Sequence, residues 1–281
     1  MYKRQVKNIY YLPLAVNTDR LSSQLNSQTM EEKDRFSADI SFVGSMYHKN
    51  SYDDIKDKLP PYLRGYFDAA MLAQLNIYGD NIIDELLTVD ILKQLSEFVD
   101  FRQDKRAFSD IRLVFESTFL GFKLANIERV RTLNLLAKKN KVALYTDEQD
   151  TSLINVDFKG TVDYMNDMPK VFNNSSINLN MTIRNIRTGI PLRVWDILGA
   201  GGFLLTNYQI ELTDYFKNEE SIVYYEDMYD CCKKAEYYLL HEDERRQIAA
   251  KGHELVSKKH SYINRVKYIF CLLYTSDAAD D

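Results

Sequence analysis

The sequence predicts an α/β fold built on a parallel sheet, with a helical insertion at about residues 50–130. Three observations predict it. Short apolar runs bounded by Gly, Asn or Ser recur at 40–43, 141–146 (KVALYT), 156–161 (VDFKGT), 177–180 and 203–206, each the length of a buried strand. Helical patterns at 128–139, 164–173 and 192–198 separate them, and strands that alternate with helices imply parallel pairing through right-handed crossovers. Residues 51–137 carry helical periodicity and little strand signal, with Leu72, Leu75, Ile83, Leu86, Leu87, Leu92 and Leu95 as its apolar positions.

Taken in order, the run 40–43 is a buried strand and Gly44-Ser45 is the tight loop that leaves it. That loop reads either as a plain strand-to-helix turn or as a pair of amides facing an anion. After the insertion and the helix 128–139 come the strands 141–146 and 156–161, the second ending at Gly160. The helix 164–173 leads into the most informative stretch, residues 178–207, which reads NLNMTIRNIRTGIPLRVWDILGAGGFLLTN. Here a strand end, a basic loop, a short helix, a Gly-rich turn and a second strand follow one another. Pro191 suits a helix start because its missing N–H costs nothing there. Leu192, Trp195 and Leu198 recur every three positions and predict one buried face, and Gly199, Gly201 and Gly202 stop the helix. Ligands of parallel sheets bind outside the carboxyl ends of the strands. The loops after Val43, Thr146, Gly160, Asn180 and Thr206 are therefore expected to line one cleft.

The chemistry of the 178–207 block suits an anion. A helix N-terminus presents unpaired N–H groups and the positive end of the macrodipole. Arg184, Arg187 and Arg193 are expected to surround that end with guanidinium forks able to grip a diphosphate. Asp196, three residues after Arg193, is placed to accept hydrogen bonds from ribose hydroxyls, as acidic residues do in dinucleotide folds. The alternative for Arg193 and Asp196 is a plain i,i+3 ion pair, worth about 0.2–0.5 kcal/mol.

These residues resemble a known family. The runs 177–180 (INLN), 189–198 (GIPLRVWDIL) and 201–207 (GGFLLTN) are similar to the glycosyltransferase group 1-like domain of spore-maturation-type (CgeB-like) proteins. The similarity extends to 208–216 (YQIELTDYF), 222–225 (IVYY), 243–246 and 250–252, and upstream to 10–17 (YYLPLAVN) and 39–45 (DISFVGS). It spans most of residues 6–270 and is weakest between about 50 and 130. The resemblance implies a GT-B-type, Rossmann-like nucleotide-binding domain that holds the donor, a nucleoside diphosphate sugar, while a second domain takes a glycan, polysaccharide or protein acceptor. It implies Gly44, Ser45, Gly160, Arg184, Arg187, Arg193, Asp196 and Glu211 as donor-site residues, Glu211 as a sugar-contacting acid. Related retaining enzymes place a pair of glutamates around the helix equivalent to 192–198; Asp196 stands where the second belongs, and Thr188 replaces the first. Inverting and retaining outcomes both stay open, as does a non-catalytic coat-assembly or carbohydrate-binding module on the same fold.

Composition excludes several classes. The 281 residues carry a net charge of −5, with 45% hydrophobic and 27% charged residues, as in a soluble globular protein. With no basic run, the chain gives no support to nucleic-acid binding. No apolar run approaches the length of a membrane span, and a cytoplasmic location is expected. No Asp-x-Asp motif occurs, so neither a metal nor a cofactor is expected. Three cysteines form no disulfide framework, and His48, His241, His253 and His260 have no sequence partner for a metal or a nucleophile.

Residues 1–5 (MYKRQ) and 271–281 (CLLYTSDAADD) resemble translated sequencing-adapter read-through and are expected to carry no evolved function. Residues 1–37 are expected to be the remnant of an acceptor domain and its linker, and 38–270 the donor domain. Such a fragment is expected to bind nucleotide without transferring sugar.

Overall fold

Along each main strand of the computed structural model, which describes residues 9–100, 110–147 and 149–277, side chains alternate between two apolar layers. The chain enters through α1 (Thr18–Asn26) and α2 (Met30–Phe36) and forms β1 (Ala38–Val43). The insertion follows as α3 (Ser51–Ile55), α4 (Pro61–Gln74), α5 (Ile82–Leu86), α6 (Val89–Ser96), α7 (Ile111–Val114), a π-helical turn (Phe115–Gly121) and α8 (Phe122–Leu136). Then come β2 (Val142–Tyr145), β3 (Asp157–Gly160), α9 (Met168–Asn174), β4 (Ser175–Asn180), α10 (Leu192–Gly199), β5 (Leu204–Asn207), α11 (Leu212–Tyr215) and β6 (Val223–Tyr225). The helices α12 (Met228–Leu240), α13 (Glu242–Lys259) and α14 (Tyr262–Asp277) follow.

The sheet runs β3-β2-β1-β4-β5-β6 and every pair is parallel. This is the Rossmann-like order, and its direction reverses between β1 and β4, where such sheets bind ligands. On one face Ile40, Phe42, Leu144, Ile177 and Leu179 pack with Leu133, Leu136, Ala235 and Tyr238 of α8 and α12. On the other, Ala143, Tyr145 and Leu204 pack with Phe172, Trp195 and Leu198 of α9 and α10. Each fully buried side chain of this kind stabilises the fold by about 1.5–3 kcal/mol. A third core, with Leu63, Phe67, Leu95 and Leu120 at its centre, belongs to the insertion.

The expected α/β architecture with a parallel sheet and a helical insertion is present, with several local differences. Residues 146–156 cross from β2 to β3 without a helix among the described residues. The helix expected from 164 begins at Met168, since Pro169 is favoured in a first turn. Pro191 is the N-cap of α10, and Leu192 is half-buried while Val194 and Ile197 are buried, because α10 is wedged between neighbours on most of its circumference. Gly201, at φ +74°, ends α10 in a Schellman turn: its N–H donates to Leu198 O at 3.1 Å and that of Gly202 to Ile197 O at 3.0 Å. Gly199 is the last helical residue and does not stop the helix.

The boundary expected at residues 37/38 falls between α2 and β1, and Val16, Leu21 and Phe36 before it belong to the core under α10. Residues 1–5 and the last four residues of 271–281 lie outside the described residues. No helix among the described residues is long and apolar enough to cross a membrane.

Candidate functional site

The carboxyl ends of β1, β2 and β3 open on a cleft of about 300 Å3. Gly44 and Ser45 line it from β1, Thr146 and Asp147 from β2, Thr161 and Tyr164 from β3, and Arg193 from the first turn of α10. Gly44 and Gly160 make the last ladder bonds here, Gly44 N–H to Tyr145 O and Thr146 N–H to Gly160 O, both at 3.0 Å, and the chain then turns over the sheet edge. Gly160 has a φ of +75°, a conformation other residues adopt only with strain.

Of the two amides expected to face an anion, Gly44 N–H is already engaged, donating to Tyr145 O at 3.0 Å as the last rung beside β2. The Ser45 residue is exposed and its N–H has no acceptor among the described residues. Its carbonyl accepts from Arg129 Nη1, while Arg129 Nη2 donates to Met181 O at 2.6 Å. Arg129, buried on α8, therefore braces the loop after β1 against the loop after β4. Periodicity gave no hint of this role, since an arginine in an amphipathic helix usually faces solvent.

Arg193 lies in the first turn of α10 and lines the cleft, whereas Asp196, one turn further along, is buried behind it and is not among the lining residues. The closest approach of Arg193 and Asp196, Nη1 to Oδ2, is 3.9 Å, a loose pair that leaves the guanidinium available. Arg193 also contacts the Met168 sulfur and lies over the Phe172 ring, 5.4 Å from its centroid. Burial pulls the Arg193 guanidinium down from its usual range. Asp196 is 9% exposed, and burial raises its carboxyl above the usual carboxylate range, against the opposing pull of Arg193 and the Tyr164 hydroxyl. Tyr164 Oη donates to Asp196 Oδ1 at 3.2 Å. No motif named Tyr164; its place in the loop after β3 was the available signal. Pro191 supplies no side-chain cap; Val194 N–H donates to Pro191 O at 3.0 Å, and the N–H groups of Leu192 and Arg193 have no acceptor among the described residues.

Two of the three arginines are elsewhere. Arg184 is buried, its Nη2 donating to Glu128 Oε1 at 2.7 Å and its guanidinium stacked 3.3 Å from the Tyr78 ring centroid. Arg187 Nη2 donates to Asp84 Oδ2 at 3.1 Å and to Asn81 O at 3.2 Å. Both are drawn into the insertion by its acids, which the local sequence around α10 could not show. The expected single cleft is correspondingly divided. The loops after β4 and β5 enclose a separate pocket of about 20 Å3 under Gly79, room for about one water. Glu211, at the N-cap of α11, accepts from Tyr11 Oη at 2.5 Å and from Gly189 N–H. It ties residues 9–14 to the loop before α10. Gly160 closes β3 without lining the cleft itself.

Two further reactive side chains, His260 and Cys231, are held by packing. His260 lies among Trp195, Tyr215 and Phe216, with Nδ1 accepting from Arg265 Nη2 at 3.0 Å. Cys231 is buried and free, and burial pushes its thiol well up.

No curated protein matches the chain. Among solved structures, the N-terminal domain of Candida albicans trehalose-6-phosphate phosphatase is similar at a TM-score of 0.51 and 7% identity, over 94% of this chain and 49% of that one. A glycosyltransferase from Rickettsia africae matches at a TM-score of 0.46 and 11% identity, over 92% of this chain and 55% of that one. Anabaena HepE, solved in complex with UDP-glucose, matches at 0.44 and 11% identity, over 52% of this chain and 44% of that one. The chain thus spans from 31% to 55% of the length of such structures, and the likeness is one of fold. A family model described as glycosyl transferase-like matches residues 127–270, from α8 through β2–β6 into α14 and so including both Arg193 and Asp196. With just over half of its 281 residues inside that match, the chain belongs to the glycosyl transferase-like family.

Proposed function

We propose that the cleft over β1–β3 binds a nucleoside diphosphate sugar and that the protein transfers its sugar to a glycan, polysaccharide or protein acceptor. One observation carries the reading: Arg193, in the first turn of α10, and Tyr164, bonded to the buried Asp196 behind it, line the same cleft at the carboxyl edge of the sheet beside the switch point between β1 and β4. Diphosphate is a chemical match for a guanidinium beside unpaired helix N–H groups. Ribose hydroxyls match a carboxylate already held by a hydroxyl donor. In the transfer step the Arg193 charge and the α10 dipole stabilise the negative charge that grows on the leaving diphosphate, without requiring a metal ion.

The finer assignment is part of the same proposal. Residues 38–270 act as donor domain, the acceptor meets residues outside it, and the run GIPLRVWDIL at 189–198 places the chain with the CgeB-like transferases. Arg184, Arg187, Gly44 and Glu211 act by shaping the loops around the cleft, since Arg184 Nη2, Arg187 Nη2, Gly44 N–H and the Glu211 carboxylate are each bonded within the protein. Thr188, in place of an acid, favours a second reading, a module that holds the sugar nucleotide without turning it over.

Calorimetric titration of the chain with UDP, GDP, ADP and CDP tests the proposal. One nucleotide is expected to bind, with affinity roughly tenfold or more weaker in Arg193→Ala and Asp196→Ala. A folded protein that binds none of the four would refute the donor site; binding without sugar transfer in the presence of acceptors would move the assignment to the module.

A further inference from the structure

At the opposite, amino-terminal edge of the sheet, a second cleft of about 220 Å3 opens between the start of α13 and the ends of α9 and α10. Ser176 stands on one wall, the Gly201–Gly202 turn at another, and Glu242, Arg245 and Arg246 across from them. Arg245 decides what this cleft can hold. It is 8% exposed, and its hydrogen bond goes from Nη1 to Tyr238 O at 2.6 Å, at the end of α12. No carboxylate lies within ion-pairing distance of it among the described residues. Glu242, the acid on the same turn, pairs with Arg246 at 2.5 Å and acts on Arg245 only as a longer-range attraction.

A guanidinium carries five N–H donors in a fixed fork. The Tyr238 carbonyl takes one; the other Arg245 nitrogens are not sealed from solvent and open on the cleft that the residue lines. A charge buried this far without a counter-charge is unfavourable. Two further groups are unsatisfied nearby. The Ser175 hydroxyl is buried without a hydrogen-bond partner, and α13, eighteen residues long, begins without a side-chain cap on its first N–H groups. Two guanidiniums against one carboxylate leave the cleft with one net positive charge.

We propose that this cleft binds a small oxyanion of the phosphate type, gripped by Arg245 and Arg246 with the Ser176 hydroxyl opposite. The anion supplies the counter-charge that Arg245 lacks, in the bidentate geometry that guanidinium and phosphate share; the α13 dipole adds little, since Glu242, Asp243 and Glu244 occupy its first turn, the last two outside the lining of the cleft. Glu242 opposes the anion, so Arg246 must turn from that carboxylate to the ligand. The site lies at the far end of the sheet from Arg193 and is independent of the donor cleft.

Inorganic phosphate, titrated into the full chain and followed by the backbone amide resonances of Gly201 and Gly202, tests the proposal. A saturable shift is expected, with affinity roughly tenfold or more weaker in Arg245→Met and in Arg246→Gln and unaltered in Arg193→Ala. Arg246 is 76% exposed, so its variant folds even where Arg245→Met does not, and it then decides the matter alone. No shift at the two glycines, unaltered affinity in Arg246→Gln, or loss of binding in Arg193→Ala would overturn the proposal and leave Arg245 as a cap on α12.

Discussion

Glu128 of α8 and Arg184 of the loop after β4 form an ion pair at 2.7 Å with side chains 2% and 4% exposed. Tyr78 closes the pair, stacking on the guanidinium and donating its hydroxyl to Glu128 Oε1 at 3.1 Å. The insertion is thereby fastened to the loop that precedes α10. Arg184 Nε and Nη1 have no hydrogen-bond partner among the described residues, so the arrangement depends on Glu128. Removing one member of a buried pair strands the other charge. Glu128→Gln should lower stability by about 3–5 kcal/mol in urea denaturation, and the double variant with Glu128→Met and Arg184→Met should recover most of that loss.

Asp196 should make the fold less stable as pH rises. Its carboxyl is raised by burial, so the native state holds the proton more readily than the unfolded chain does. The cost is absent below about pH 4, the ordinary aspartate value, and grows as pH passes through the folded value. Asp196→Asn is therefore expected to melt higher than the parent protein at about pH 8 and level with it at about pH 4. Equal melting differences at both values would show that the carboxylate is not held in the buried state described.

His260 acts in the opposite sense. Burial, with Arg265 and Lys259 adding to it, lowers its imidazole from 6.5 to about 4. The unfolded chain takes up a proton on this residue before the native state does, so stability falls as pH drops from about 6.5 toward 4, by on the order of 3 kcal/mol at full extent. Denaturation curves across that interval should show the loss, and His260→Gln should remove this component of the pH dependence.

Two glycines separate intrinsic propensity from close packing. Gly65 lies in α4 with open space where a Cβ would stand, and Gly65→Ala should stabilise by about 0.5–1 kcal/mol. At Gly252 of α13 a Cβ would fall 2.3 Å from Ser221 O and 2.9 Å from Leu198 Cδ2. Backbone cannot yield cheaply there, and Gly252→Ala should destabilise by about 1–3 kcal/mol. Thermal melts of the two variants, shifted in opposite directions, check both.

Several readings from the sequence correspond to the structure because their causes are local. The strand runs at 40–43 and 203–206 are buried in the sheet, the 192–198 pattern is a helix ended by the Gly201–Gly202 turn, and the 51–137 periodicity is helical among the described residues. Where the causes are distant, the reading fails. The run 177–180 is a buried strand end as read, but β4 starts earlier, at Ser175, and its asparagines bond across the sheet, Asn178 accepting from Ser41 Oγ at 2.9 Å and Asn180 donating to Thr206 Oγ1 at 2.9 Å. Leu72, counted with the apolar face of the insertion, is 47% exposed.

By itself the sequence determined the kinds of element, the parallel class of the sheet, and the presence of Arg193 and Asp196 one turn apart on a helix that follows a strand. Those depend on side-chain period, backbone preference and capping, which act within a few residues. Tertiary structure decided which charges remain free. Arg184 and Arg187 share the local chemistry of Arg193, yet acids from an insertion about 60 to 100 residues away in sequence claim them, because a guanidinium entering a low-dielectric interior goes where a carboxylate waits. Among the described residues the one carboxylate that Arg193 pairs with, Asp196, is held at 3.9 Å, and that pull is weak enough to leave the guanidinium, which lines the cleft, for a ligand.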